Sequence, residues 1–122
     1  MRAVVLAVLT VAAVLASASA APFDCPNTLR ISVLKDGSIL VGGAKSTDHA
    51  LDRKLSELEK ANGEVWYYRE GAEGDATRKQ DASVKVVLDL VIKHGRPISF
   101  SSKPDFSDFI DGEGRMAPRT KC

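Results

Sequence analysis

The 122-residue chain is short of the residues that most often carry chemistry: it has 2 cysteines, 2 histidines, 1 tryptophan and 6% aromatic residues. With no cysteine or carboxylate near His49 or His94 at metal-ligand spacing, it lacks any recognisable metal motif. A G-x-S-x-G elbow is missing too, as is a glycine loop ahead of a helix to cradle phosphate. The expectation is a non-enzymatic protein without metal or cofactor, with both histidines on the surface. Surplus charge of one sign is also absent, since Lys and Arg number 17 against 16 Asp and Glu and are scattered along the chain. Nucleic acid or an anionic membrane would call for basic charge gathered on one face, so neither is an expected partner.

The one long apolar run, Ala3–Ala16, is shorter than the roughly 20 residues a spanning helix needs. It follows the positive start Met1-Arg2 and precedes the small-residue site Ala18-Ser19-Ala20, so residues 1–20 read as a secretory signal peptide. Arg2 would leave with it, and the remaining chain is formally neutral, without a stable membrane span. That remainder suffices for one modest domain and not for two. Export, to the periplasm or beyond the cell, puts Cys25 and Cys122 in an oxidising compartment, where a Cys25–Cys122 disulfide is the default. Lipidation of Cys25 is the rival, disfavoured by the bulky and charged Pro22-Phe23-Asp24 ahead of it.

The domain is organised around Val84–Phe100. Val84, Val87, Leu88, Val91 and Ile92 recur at helical spacing, Gly95 and Pro97 stop the helix, and Ile98 and Phe100 alternate with serines as on a half-buried strand. Upstream, Leu29–Leu34 and Ser38–Val41 alternate as two strands around an Asp36-Gly37 turn, and Gly42-Gly43 breaks the second. Ser46, Thr47 and Asp48 offer caps for a helix whose apolar stripe is Leu51, Leu55 and Leu58, closed by Asn62-Gly63. Glu64–Arg69 reads as a strand, Gly71–Gln80 as an exposed loop, and Asp81 as the cap of the organising helix. The expected fold class is α+β, in the order β-β-α-β-α-β, with two helices packed on one face of a small mixed sheet. Residues 21–102 form this domain. In the tail, 103–122, Phe106, Phe109 and Ile110 suggest a short helix that docks on Val86 and Leu90, held by the disulfide; a second copy of the chain is the alternative cover.

The hairpin LRISVLKDGSILVGG, the aromatic strand WYYR and V-x-x-V-L-D-x-V-x-x-x-G from Val84 to Gly95, followed by a strand, resemble the periplasmic domain of the ExbD/TolR biopolymer-transport family. The likeness spans about Leu29–Ser101. It implies a binding or accessory role in the cell envelope: capture of an extended partner segment, contact with the cell wall, or dimer formation. Family members carry a transmembrane helix with an acid thought to take part in proton flow, whereas Ala3–Ala16 holds no Asp or Glu, so no proton-handling role carries over. A secreted inhibitor or immunity-type protein that blocks an enzyme is the alternative.

Strand alternation points to a binding surface. With Ile31, Val33, Ile39, Val41, Val65, Tyr67, Ile98 and Phe100 turned to the core, Leu34, Leu40, Trp66 and Tyr68 fall on the face away from the helices. These four are the candidate protein-binding residues, and exposed aromatics there would form a docking platform.

Overall fold

A computed structural model describes residues 25–71 and 77–122. The expected signal peptide, 1–20, lies outside the described residues, as do residues 72–76 of the loop expected before the second helix. The elements run β1 (Thr28–Val33), β2 (Ile39–Val41), β3 (Ala44–Lys45), α1 (Asp48–Lys60), β4 (Glu64–Arg69), α2 (Arg78–Lys93), β5 (Ile98–Ser101), β6 (Asp108–Ile110) and β7 (Met116–Pro118). Five strands form one sheet in the order β3-β2-β1-β4-β5, and β6 pairs with β7 in a second. β4 lies parallel to both β1 and β5, while β2 is antiparallel to β1 and β3. This is the α+β class expected, two helices on a small mixed sheet, with one strand more than expected before α1.

The extra strand comes from Gly42-Gly43. Both glycines have positive φ, +60° and +87°, which is what a two-residue hairpin turn needs, so the pair reverses the chain where a simple break was expected. β3 then pairs Ala44 with Val41 and Lys45 with Leu40. At α1, the Thr47 side chain accepts from the Ala50 N–H and caps the helix. Thr77 does the same for α2 by accepting from the Gln80 N–H, so α2 starts at Arg78, ahead of the expected Asp81 cap. Thr77 also donates to the Lys35 carbonyl and Ser83 to that of Gly37, which binds the β1–β2 turn to the start of α2.

The main core lies between helices and sheet. Ile31, Val33, Ile39, Val41, Val65 and Tyr67 meet Leu51, Leu55 and Leu58 of α1 and Val87 and Val91 of α2, with Val84, Leu90 and Ile98 packed at its margin. Two expected core residues are displaced outward. Ile92 lies past the buried stripe of α2 and is 75% exposed, and Phe100, on the edge strand, is 39% exposed while it meets the Tyr67 ring edge-on. Val86 and Leu90 face the first half of α1 across a shallow groove bounded by Asp48, His49 and Asp52. The tail does not cover them, because its Phe106 packs with Trp66 and Cys25 on the other face of the sheet.

The tail is not helical. Phe106 adopts a left-handed conformation, φ +59°, which a helix interior does not accommodate, and its N–H closes a turn on the Lys103 carbonyl. Asp111 then builds the β6–β7 turn by accepting from the N–H groups of Glu113 and Arg115. The spacing of Phe106, Phe109 and Ile110 mimicked a helical stripe across this turn. The segment packs on the sheet face opposite the helices, where Phe106 joins Trp66 and Cys25 in a second buried cluster.

A close approach joins the two ends of this arrangement. The Glu64 N–H donates to the Asn27 carbonyl at 3.0 Å, and a Cβ on Gly63 would collide with that carbonyl and with the Leu58 side chain. Gly63→Ala should therefore destabilise the domain by about 1–3 kcal/mol through forced displacement. Urea unfolding checks this, and a midpoint indistinguishable from the parent would show that the packing there gives way freely.

Candidate functional site

The register of the sheet sets out the open face in rows. Leu40, Ser32, Tyr68 and Ser101 lie side by side across β2, β1, β4 and β5, and Arg30, Trp66 and Ser99 form the next row. Since side chains alternate along each strand, burial of Ile31, Val33, Val65 and Tyr67 against the helices turns these residues the other way.

Trp66 is on that face but is not exposed: it is fully buried, beneath the chain's own tail. The Arg119 guanidinium stacks on its ring with Cζ 3.8 Å from the centroid, and Arg30 approaches to 5.5 Å. Such stacking contributes about 1–2 kcal/mol where water is excluded. Arg119 also donates from Nη2 to Ser99 Oγ at 3.2 Å, Ser101 Oγ at 3.1 Å and the Asp108 carbonyl at 3.1 Å, and from Nε to the Phe106 carbonyl at 3.0 Å. One side chain thus ties β5, β6 and the Phe106 turn together over the indole. Burial lowers the Arg119 pKa, a trend opposed by Glu64 and Asp108. Cys25 and Cys122 are joined by a disulfide across a separation of 97 residues. As a docking residue Trp66 is therefore corrected, because the platform it was expected to offer is occupied from within.

The other three candidates remain at the surface. Leu34, Leu40 and Tyr68 are partly buried and line one groove of about 460 Å³, whose far wall is Pro104 and Phe106 of the tail. Arg30, Ser32 and Glu70 supply its polar groups, and the Gly42-Gly43 turn forms its rim. Glu70 accepts from the Lys35 N–H at 2.9 Å, which fixes its carboxylate at one end. Burial raises the Tyr68 pKa, with the Glu70 charge adding to the effect, so the phenol stays protonated and able to donate. An apolar floor with both signs of charge beside it suits an amphipathic protein segment.

A second cluster escaped the sequence reading. His94, the residue that caps the C-terminal end of α2, was expected on the surface, but its side chain is only 10% exposed. Its Nε2 lies 2.6 Å from Asp52 Oδ1 and its Nδ1 2.9 Å from Glu59 Oε1, both on α1. Lys93 reaches the same Asp52 at 3.1 Å. The i, i+7 spacing of Asp52 and Glu59 puts both carboxylates on one face of α1, a signal present in the sequence but uninformative without the helix crossing. His49, by contrast, is exposed. Among the described residues no group of three or more His, Cys, Asp or Glu side chains is disposed to hold a metal ion, and no helix is long and apolar enough to cross a membrane.

No protein-family model matches the chain, and no curated protein matches it.

His94 can donate from both ring nitrogens only as the imidazolium. Hydrogen bonding to Asp52, and then to Glu59, accordingly raises its pKa above the ordinary 6.5, while the His94 bond, followed by that of Lys93, lowers the pKa of Asp52. The raised histidine contributes stability that is complete below the unfolded-state pKa and lost as pH rises through the folded-state value. The depressed Asp52 contributes above its ordinary 3.8 and loses that contribution as pH falls through its folded-state value. His94→Gln should therefore cost most stability near about pH 5–6 and progressively less toward about pH 9, read as the wild-type-minus-variant difference in urea unfolding. A difference that does not vary with pH would contradict the doubly bonded imidazolium.

Proposed function

We propose that this protein is a non-enzymatic binding module of the cell envelope, similar in role to the soluble domain of the ExbD/TolR transport subunits. It captures a protein partner on the open face of its sheet. The observation that carries this reading is the groove in which Leu34, Leu40 and Tyr68 sit beside Arg30 and Glu70: apolar anchors flanked by charge of both signs are the ingredients of a protein-recognition patch. The element order, a hairpin and two crossover helices on a mixed sheet, supports the resemblance at the level of fold, and fold alone does not confer function. The disulfide favours an extracytoplasmic setting, periplasmic or secreted.

Photo-crosslinking in intact cells tests the reading, with a photo-reactive aromatic residue in place of Leu40 or Tyr68. The expected product joins the chain to an envelope protein, and Leu40→Asp should weaken that association by about tenfold or more, as loss of an interface anchor does. Products that contain only this chain would replace partner capture with self-association. A single secreted enzyme or toxin as the captured protein would replace it with the inhibitor reading.

A further inference from the structure

We propose that residues 102–122 are a redox-releasable strap over Trp66, locked in place by the Cys25–Cys122 disulfide. The strap has two anchors of unequal kind. The near one is continuous with β5: Ser101 Oγ donates to the Asp108 carbonyl at 2.7 Å, the Ser102 N–H donates to Asp108 Oδ1 at 2.9 Å, and Phe106 is buried beside Trp66. The far one consists of the Arg119 contacts, the Arg119 N–H bond to the Ser107 carbonyl at 2.8 Å, and the disulfide. Between them stands a hairpin of three residues per strand, and a two-stranded ribbon of that size is marginal by itself. The far anchor therefore depends on the covalent bond, which keeps Arg119 at high effective concentration above the indole.

The two cysteines differ in exposure. Cys25 is buried in the Trp66–Phe106 cluster at 8% exposure, whereas Cys122 is exposed. A dithiol protein of the thiol–disulfide exchange class attacks Cys122 Sγ as a thiolate; the S–S bond breaks and the Cys25 sulfur leaves as thiolate and takes up a proton. The donor's second thiol then resolves the mixed disulfide, so that two electrons and two protons pass to the strap and the donor is left as its own disulfide. Loss of the far anchor lifts Arg119 and bares the indole together with Ser99, which extends the groove of Leu40 and Tyr68 along the next row of the sheet. Its value as a gate rests on the partner-capture reading; the release itself does not.

Trp66 is the 1 tryptophan of the chain, so its fluorescence reports the strap alone. Acrylamide quenching is measured on the oxidised protein, on the protein reduced with dithiothreitol, and on the Cys25→Ser/Cys122→Ser double variant without reductant. The quenching constant should rise by about threefold or more in both reduced forms while the far-UV circular dichroism stays unchanged, the signature of local opening. Equal shielding in all three forms would overturn the proposal. So would exposure accompanied by loss of the helical signal, because the strap would then be inseparable from global folding. No partner takes part in this measurement, so its failure and a failure of the crosslinking experiment are distinct results.

Discussion

The structure depends on how the second face of its sheet is closed. Two helices cover one face with an aliphatic core, and Trp66 points out of the other. An indole with its full apolar area left in water would forfeit about 2–3 kcal/mol of burial and invite association. The chain answers with its own C-terminal segment: Arg119 stacks on the ring, Phe106 fills its flank, and the disulfide ties the end of the chain back to its first described residue. By the chain-entropy model a loop of this length contributes about 4–5 kcal/mol through restriction of the unfolded chain. A small domain with two thin cores benefits from such a constraint.

This closure also decides which part of the face stays open. Because the strap covers Trp66 and Ser99 but stops at Pro104 and Phe106, the neighbouring row of Leu40 and Tyr68 stays accessible as a groove with mixed walls. On the other side of the sheet, the His94 clasp on Asp52 and Glu59 holds α1 and α2 in their crossing, and the capped start of α2 holds the β1–β2 turn. The groove floor thus rests on strands fixed from behind.

Much of the fold was legible because it follows from period and punctuation. The alternation of Ile31, Val33, Val65 and Tyr67, and the i, i+4, i+7 leucines of α1, assign the core face without any knowledge of topology. What escaped has definite physical causes. Gly42-Gly43 served as a hairpin turn, since two positive-φ residues in succession reverse a strand as readily as they end it. The tail misled because apolar spacing carries no information on the left-handed Phe106 or on the Asp111 side chain that closes the β6–β7 turn. At the candidate site, Leu34, Leu40 and Tyr68 could be assigned a face from alternation, but the burial of Trp66 could not, as it is decided by Arg119, 53 positions away along the chain. His94 was illegible for the same reason: its carboxylate partners lie on another helix.

Arg119 and Trp66 hold the tail to the sheet by direct contact. A double-mutant cycle on the oxidised protein, with Trp66→Leu and Arg119→Lys singly and together, measures that contact through urea unfolding. A coupling of about 1 kcal/mol or more is expected for a stacked and desolvated guanidinium. A coupling within about 0.3 kcal/mol of zero would mean that the two residues stabilise the domain independently and that the open face is closed by something other than this pair.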